Sequence, residues 1–493
     1  MNGTEWRNKM SVLTNIEPMN VFKYFEEICA IPHGSDNTST ISQYCVDFAK
    51  SHDLKYVQDE LGNVIIYKPA SAGYEASKPI ILQGHLDMVC EKNFESDIKH
   101  DFEKDGLRLA QTDDFIYAKG TTLGADDGIA VAICLAILED DSIKHPPLEI
   151  LLTVDEEIGM LGINALDFSK LSAKRMINID NEKEGELLVS SAGGMRSKCS
   201  IPVRYVEKSG SKYNIVLCGL RGGHSGSEID KYRGNANILM GRLLHFIGKN
   251  INFDLCYLKG GLQDNAIPRE AQAEILVHEK DAYEFEELIS RFEATIQNEF
   301  RIIEKNITIY CEDKGPSTER ALTAKTKERV VFLLMTIPDG VQKMSPETDS
   351  LVQTSLNAGI MRLRENSFNM QICIRSSVSS EKYALGDKLK YLTETIGGTY
   401  SAEGDYPAWE YNSKSELRDI MFRTYQQCMG HNPKLAGIHA GLECGIAYKN
   451  IPGVDIVSIG PDIDNIHTPK EKLSIPSTQR IWMYLLKVLE NCK

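Results

Sequence analysis

The sequence predicts an α/β protein in which a helix-covered sheet forms one domain and a second, α+β domain is inserted into it. In the first third of the chain, apolar runs typical of strands alternate with helical patterns, and this alternation returns after residue 409. Between these regions, beyond the small residues of Ser190–Gly194, the alternation is lost. We therefore expect a discontinuous first domain, residues 1–190 and 409–493, and an inserted domain, residues 191–408.

Apolar periodicity assigns the individual elements. In the first domain it predicts helices over Asn20–Cys29, Thr38–His52, Gly128–Glu139, Ser415–Met429 and Ser477–Leu489, and strands over Asn63–Tyr67, Pro79–Gln83, Leu148–Val154, Arg175–Ile179 and Asp455–Ile459. In the inserted domain it predicts helices over Ala236–Gly248, Ala282–Phe300 and Lys325–Thr336, and strands over Tyr213–Leu217, Asn306–Tyr310, Gln353–Ile360 and Ser367–Ser376.

The composition is that of an acidic globular protein. The chain has 493 residues, more than one core usually holds, and 42% of them are hydrophobic. Its formal net charge is −15, which repels phosphate backbones and argues against nucleic acid as a partner. An acidic site would instead suit metal cations or amines, although we expect most of this charge on a solvated surface.

The cysteine pattern and the N-terminal residues predict a cytoplasmic location. The 12 cysteines are scattered without a C-x-x-C pair, and many lie in apolar stretches, as reduced, buried thiols do. Residues 1–15 are polar and lack the apolar core of a signal peptide. No apolar stretch approaches the ~20 residues that cross a bilayer. We therefore expect a soluble cytoplasmic protein with no membrane partner.

Two adjacent carboxylates, Glu156 and Glu157, follow the apolar strand Leu148–Val154. Like charges at the end of a core strand repel each other, so a cation is expected to hold them there. Neighbouring carboxylates can then divide the work, one binding a metal and the other taking a proton from water. For the pair alone, a solvated acidic loop is the more common explanation.

The same setting recurs elsewhere in the chain. Each of the residues concerned lies just beyond an apolar strand, in the loop after the last strand, or before a helix. They are His85, Asp126, Glu157, Asp180 and His467. In α/β sheets, the crevice at the carboxyl ends of the strands is where ligands bind. Two histidines and three carboxylates, with Asp126 shared, would give each of two ions three protein ligands, the pattern of a two-metal hydrolytic site.

Several motifs also carry a resemblance to a known family. They are Gly84–Val89 (GHLDMV), Thr121–Asp126 (TTLGAD), Asp155–Met160 (DEEIGM), Asn178–Asp180 (NID), Gly260–Glu270 (GGLQDNAIPRE) and Ile438–Gly445 (IHAGLECG). In order and spacing, over nearly the whole chain, they resemble the di-zinc peptidases of the carboxypeptidase G2 and carnosinase superfamily. Within that superfamily, the chain is most similar to the aminoacyl-histidine dipeptidases (Xaa-His dipeptidases, peptidase D).

The resemblance implies two zinc ions per chain, and the same ligands would also accept Co²⁺ or Mn²⁺. The implied ligands are His85, Asp126 and Asp180 for one ion, and Asp126, Glu157 and His467 for the other. Asp87 would orient His85, and Glu156 would be the general base. Asp127 is a spare carboxylate beside the proposed bridge, and on its own either aspartate is most simply a helix N-cap.

The family also implies that the inserted domain is a lid that carries substrate-binding residues. His224 would polarise the scissile carbonyl, while Asn265, Arg375 and Gly441 would contact the substrate. Arg375 would bind its terminal carboxylate, which a guanidinium fork fits well. Taken alone, the glycine-rich loop around His224 is more often a turn, and Arg375 could form a structural ion pair. The inserted domain could equally be a homodimer surface.

The expected function is metal-dependent hydrolysis of small peptides, Xaa-His dipeptides in particular. The same ligands would also serve a broad-specificity dipeptidase, a tripeptidase or an N-acyl-amino-acid deacylase, because selectivity lies in the pocket. A metal-binding scaffold without activity is the alternative from another class.

Overall fold

A mixed eight-stranded sheet and a nine-stranded antiparallel sheet organise the chain in the computed structural model, which describes residues 12–13, 15–93, 99–348 and 351–493. The described residues form two units. The first contains the chain up to Ser190 with Tyr411–Gly437 and Leu442–Lys493, and the second contains Ser191–Glu410 with Ile438–Gly441. The sequence had placed this last segment in the first domain.

The helices have the following bounds: α1 Met19–Cys29, α2 Ser39–Ser51, α3 Ala125–Glu139, α4 Leu161–Ala165, α5 Ala236–Asn250, α6 Ala282–Glu299, α7 Ala324–Thr336, α8 Ser379–Thr395, α9 Glu416–Met429, α10 Glu443–Asn450 and α11 Ile475–Asn491. No helix among the described residues is long and apolar enough to cross a bilayer.

The strands have the following bounds: β1 Lys55–Gln58, β2 Val64–Lys68, β3 Ile80–His85, β4 Leu109–Gln111, β5 Phe115–Ala118, β6 Leu148–Thr153, β7 Arg175–Asn178, β8 Glu186–Ser191, β9 Gly193–Pro202, β10 Tyr205–Cys218, β11 Gly223–His224, β12 Phe253–Gly260, β13 Ala266–Ile267, β14 Ala271–Val277, β15 Thr308–Leu322, β16 Gly340–Met344, β17 Val352–Leu363, β18 Ser367–Ser376, β19 Thr399–Tyr406, β20 Lys434–Ile438, β21 Asp455–Ser458, β22 Ile463–Asp464 and β23 Lys472–Ser474.

The first unit is built on the mixed sheet, whose strand order is β1-β2-β6-β3-β7-β21-β8-β20. Its central strands β6, β3, β7 and β21 are parallel, whereas β2 and β8 pair antiparallel to them. The central strands are almost wholly buried, which explains why they appear in the sequence as continuous apolar runs. Because they are parallel, their carboxyl ends meet at one edge of the sheet.

Helix α3 packs in the core of the first unit. All its residues from Gly128 to Leu138 are buried, as expected for a helix that is apolar on every side. Its C-terminal end is capped by Lys68, a buried side chain whose ammonium donates to the carbonyl oxygens of Ile137, Leu138 and Asp140 at 3.0, 3.1 and 3.0 Å. A cation at this end also complements the helix dipole. Asp126, at the N-terminal end of α3, is therefore attached to a helix that is buried and capped at its other end.

The second unit is built on the antiparallel sheet, in the order β15-β10-β14-β12-β17-β18-β9-β19, with β16 paired to β17. Helices α5, α6 and α7 contribute their apolar faces to its core. A separate two-stranded ribbon, β11 with β13, pairs His224 with Ala266. The structure thus has the expected fold class, an α/β domain with a mixed sheet and an α+β unit inserted into it.

Candidate metal centre and a second buried cluster

Four of the five expected metal ligands lie where the central sheet ends or α3 begins. His85 is the last residue of β3, Glu157 lies four residues beyond β6, and Asp180 lies two residues beyond β7. Asp126 is in the first turn of α3, which packs against β3. The fifth, His467, lies in the turn between β22 and β23. The strand-end positions noted in the sequence therefore converge.

His85 is held by the residue two positions further on. Its Nδ1 lies 3.0 Å from the main-chain oxygen of Asp87 and 3.4 Å from the Asp87 carboxylate. An N–H at Nδ1 leaves the lone pair of Nε2 free, and this nitrogen faces Asp126 Oδ1 at 3.2 Å and Asp180 Oδ1 at 3.9 Å. Burial opposes the charged ring, but the hydrogen bonds to Asp126 and Asp87 raise the pKa of His85 well above its ordinary value.

Asp87 also organises the acidic pair. Its carboxylate accepts the N–H of Glu156 at 2.9 Å, the N–H of Glu157 at 3.2 Å and the hydroxyl of Ser35 at 2.8 Å. Burial would raise the pKa of Asp87, but the hydrogen bond and charge of His85 lower it to about 2. A single carboxylate thus fixes an imidazole and the main chain of both glutamates.

Asp126 has one carboxylate oxygen directed at each histidine. Oδ1 lies 3.2 Å from His85 Nε2, and Oδ2 lies 3.2 Å from His467 Nε2. The same nitrogen of His467 is 2.9 Å from Glu157 Oε1. Its hydrogen bonds to Asp126 and Glu157 raise the pKa of His467 to about 10. A carboxylate between two imidazoles is the arrangement required of a ligand that bridges two ions.

The centre has more buried carboxylates than nearby cations. Burial raises the pKa of Glu156 to about 8 and those of Glu182 and Glu443 to about 7, and neighbouring carboxylates add to each shift. Burial also raises the pKa of Asp180 well above its ordinary value. Carboxylate oxygens and imidazole nitrogens are the donors that divalent ions such as Zn²⁺ accept. The donor set and its excess of negative charge therefore fit a metal site.

Among the residues that the structure describes, two groups of donor atoms lie close enough together to hold an ion. One is His85, Asp126 and Glu157, and the other is His85, Asp127 and Asp180, with all atoms of each group within 4.8 Å of one another. Asp127 is buried, and its Oδ2 accepts the main-chain N–H of His85 at 3.2 Å. The ambiguity between the two aspartates seen in the sequence thus has a structural counterpart.

The second unit contains another buried polar cluster. Arg375, on β18, is 8% exposed, and its Nη1 lies 3.2 Å from the Tyr406 hydroxyl, while its Nε has no hydrogen-bond partner among the described residues. His439 is buried, and its Nε2 lies 2.7 Å from Ser355 Oγ. Burial and the charge of Arg375 lower the pKa of His439 to about 3, so this imidazole is neutral.

Hydrogen bonds hold His224 within the glycine-rich loop Gly219–Gly226. The N–H of Ser227 donates to its Nδ1 at 3.2 Å, and the His224 N–H donates to Glu228 at 2.8 Å. Burial and the charge of Arg375 lower the pKa of His224. Because Nδ1 accepts from an amide, the neutral ring carries its proton on Nε2. His224 is therefore prepared to donate one hydrogen bond from Nε2.

Asn265 and Gly441 lie near these histidines in the second unit. The Asn265 carbonyl accepts the N–H of Ser225 at 2.8 Å, so it neighbours His224, and its side chain is exposed. Gly441 follows His439 by two residues and is half-buried. Tyr406 gives no signal in the sequence, because it ends an exposed edge strand without apolar alternation.

Comparisons with known proteins cover nearly the whole chain. The model of Peptidase family M20/M25/M40 matches residues 81–491. The cytosol non-specific dipeptidase of Escherichia coli is 38% identical over 484 residues, 98% of this chain and 99% of its own. The crystal structure of aminoacylhistidine dipeptidase from Vibrio alginolyticus matches with a TM-score of 0.91 and 36% identity, covering 97% of this chain and 98% of the other.

A more distant solved structure shares the fold. It is an aminopeptidase from Bacillus cereus, with a TM-score of 0.55 and 15% identity over 97% of this chain and 99% of its own.

Proposed function

The chain belongs to peptidase family M20/M25/M40, and from this premise we propose that it is a cytoplasmic di-zinc dipeptidase that prefers Xaa-His dipeptides, including carnosine-like ones. The name of the Vibrio relative supports this substrate class, and that of the Escherichia coli relative supports a broader dipeptidase, the second candidate. The single observation that carries the metal centre is Asp126, whose two oxygens face different imidazoles at 3.2 Å.

We assign the metal ligands by the direction of the donor atoms. His85, Asp126 and Asp180 would hold one ion, and Asp126, Glu157 and His467 the other. Asp126 is preferred to Asp127 as the bridge because an Asp127 oxygen already accepts a main-chain N–H, whereas both Asp126 oxygens face imidazoles. When bound, the two ions would polarise the scissile carbonyl and lower the pKa of a water.

Glu156 is the proposed general base. It neighbours the ligand Glu157, and Asp87 fixes the main chain of both residues. Burial raises the pKa of Glu156 to about 8, and a cation nearby would lower it toward neutrality. A carboxylate in that range can take a proton from the attacking water and return it to the leaving amine. Asp87 supports this by keeping His85 and the Glu156 main chain in place.

The cluster of the second unit supplies the proposed substrate contacts. The Nε2–H of His224 would donate to the carbonyl oxygen as negative charge develops there, an interaction worth roughly 3–4 kcal/mol per donor in other enzymes. Arg375 would bind the terminal carboxylate of the peptide. This buried guanidinium, whose Nε has no hydrogen-bond partner within the described ranges, favours an anion, because burying a charge without full hydrogen bonding is costly. Asn265 and Gly441 would line the same pocket.

A substrate panel measured on protein of known metal content tests this proposal. The panel contains Ala-His, β-Ala-His, Leu-Gly, a tripeptide and an N-acetyl amino acid, each assayed for kcat/KM with two equivalents of Zn²⁺, Co²⁺ or Mn²⁺. We expect the highest values for the two histidine dipeptides. Equal values for Leu-Gly would favour the broad dipeptidase, and a preference for the last two substrates would favour a tripeptidase or deacylase. If the protein bound metal but hydrolysed none of these substrates, the result would favour a metal-binding scaffold without activity.

A further inference from the structure

Glu471 lies at the base of the hairpin that carries His467. The hairpin pairs Ile463 with Leu473, and Glu471 immediately precedes the second strand. The N–H of Glu471 donates to the Thr468 carbonyl at 3.0 Å, closing a tight turn that begins just after His467. This turn therefore connects Glu471 to the residue that follows His467.

The Glu471 carboxylate accepts hydrogen bonds from a different segment of the chain. One oxygen accepts the N–H of Leu123 at 2.7 Å and that of Gly124 at 3.1 Å, and the other accepts the N–H of Ala125 at 2.8 Å. The N–H of Asp126 is 3.5 Å from the second oxygen, at the limit of hydrogen bonding. Glu471 is only 3% exposed. This carboxylate thus spans the main chain that leads to Asp126.

The segment before Asp126 needs such a partner. The first amides of a helix have no acceptor within the helix, and Gly124, the N-cap residue, has no side chain to supply one. Gly124 is left-handed with φ of 66°, and Asp126 has the non-helical angles φ −85° and ψ 99°. Glu471 caps this irregular start from far along the chain. Charge-assisted bonds from main-chain amides also offset the cost of burying its carboxylate.

We propose that Glu471 is a positioning residue that couples two metal ligands, holding Asp126 through main-chain amides and His467 through the hairpin turn. The two ligand atoms it would align, Asp126 Oδ2 and His467 Nε2, lie 3.2 Å apart. The inference rests on the proposed metal centre and extends it to a residue that touches no ion. A residue that only stabilised the helix end would leave metal affinity unchanged.

Glu149 provides a matched control in the same unit. It is 5% exposed, and its carboxylate accepts the N–H groups of Ser172 and Ala173 at 3.0 and 3.1 Å. It lies near the start of β6, at the edge of the sheet opposite the metal ligands. Glu149→Gln and Glu471→Gln therefore make the same chemical change to two buried carboxylates that accept main-chain N–H groups. Only Glu471 is hydrogen-bonded to a segment that carries a proposed metal ligand.

The experiment measures Co²⁺ and Zn²⁺ binding to the metal-free full chain by chelator competition, with the visible spectrum of the Co²⁺ form. Glu471→Gln should lower the binding affinity for at least one ion by about 10–100-fold, which is the usual effect of losing a group that orients a metal ligand. It should also alter the visible spectrum of the Co²⁺ form. Glu149→Gln should lower the melting temperature but keep the wild-type affinities and spectrum. If Glu471→Gln does not fold, Glu471→Asp, which shortens the side chain, is measured in the same way.

Wild-type affinity and spectrum in a folded Glu471 variant would overturn the inference, as would a loss no larger than that of Glu149→Gln. Failure of the underlying centre has a different signature, because the wild-type chain itself would then bind no ion.

Discussion

The two buried polar clusters differ in the sign of the charge that they leave uncompensated. In the first unit, carboxylates surround two imidazoles, and burial raises the pKa of several of these acids. In the second unit, Arg375 is buried, its Nε has no hydrogen-bond partner in the described part of the chain, and its charge helps to lower the pKa of both neighbouring histidines. The first cluster holds more buried carboxylates than cations, whereas the second holds a buried guanidinium that is not fully hydrogen-bonded.

The opposite excess charges of the two clusters indicate which ligands each of them binds. An excess of buried carboxylates is stable only when protonated or when metal ions neutralise it. A buried guanidinium is stabilised by a carboxylate in bidentate geometry. Metal ions and a peptide with a free terminal carboxylate meet these two needs.

The largest effect is expected for the bridge. Asp126→Ala should lose both ions and reduce kcat/KM at least about 1,000-fold, because metal ions contribute several kcal/mol to such reactions. Metal content by elemental analysis and turnover of Ala-His check this. Asp140→Ala, just beyond the other end of α3, is the control and should retain both. Two ions in the Asp126 variant would mean that Asp127 is the bridge.

The acidic pair should divide into two roles. Glu156→Gln should reduce kcat by about 10²–10⁴-fold, the range for a lost general base, while both ions stay bound. Glu157→Gln should lose one ion instead, because its carboxylate lies 2.9 Å from His467 Nε2 and within 4.8 Å of an Asp126 oxygen. Metal content and kcat measured on both variants separate the two roles. Full turnover in Glu156→Gln with normal metal content would remove Glu156 from the mechanism.

The buried polar cluster of the second unit, which contains Arg375, should affect substrate binding more than the rate of the chemical step. Arg375→Lys loses the guanidinium fork and should lower kcat/KM by about 10–100-fold, mainly through KM, since a hydrogen bond to a charged group contributes about 1.5–3 kcal/mol. A dipeptide amide, which lacks the carboxylate, should bind poorly to wild type and lose little more in the variant. Arg242→Lys, at a half-exposed ion pair with Glu299, is the control. An equal loss on the amide would mean that Arg375 is structural.

A further effect concerns stability rather than activity and is confined to the metal-free protein. Burial raises the pKa of Glu443 from 4.5 to about 7, so the folded state keeps a proton that the unfolded state releases. Its contribution is intact below pH 4.5 and is lost as the pH rises to about 7, by up to about 3 kcal/mol. Urea unfolding of metal-free Glu443→Gln should therefore show a weaker decline over this range. If the unfolding free energy of this variant depended on pH as that of the wild type does, another carboxylate of the centre would be the group that loses the proton.

Much of the first unit could be predicted because burial and sequence pattern coincide there. The strands β3, β6 and β7 are buried on both faces, so they appear as apolar runs, and the polar residues that follow them are conspicuous. The sequence therefore predicts the five proposed ligands, together with Asp87 and Glu156. The structure brings all seven of these side chains into one region.

The second unit was harder to predict because its pattern is weaker. Helix α8 was missed because its buried face consists of Lys382, Gly386, Leu389 and Thr393, only one of which is a large apolar residue. Strand β10 was predicted over five residues but extends from Tyr205 to Cys218, since its first half is largely exposed. Glu471 gave no signal of its own, because its partners are main-chain amides far away in the sequence.

The division of the first unit has a consequence for biosynthesis. A ribosome makes His85, Asp126, Glu157 and Asp180 early, then the whole of the second unit, and only afterwards the hairpin with His467. Until the hairpin has emerged from the exit tunnel, a nascent chain lacks His467 as a ligand. It also lacks the Glu471 carboxylate that accepts the main-chain N–H groups before Asp126. Metal loading should therefore follow translation, and a nascent chain stalled before the hairpin should bind at most one ion.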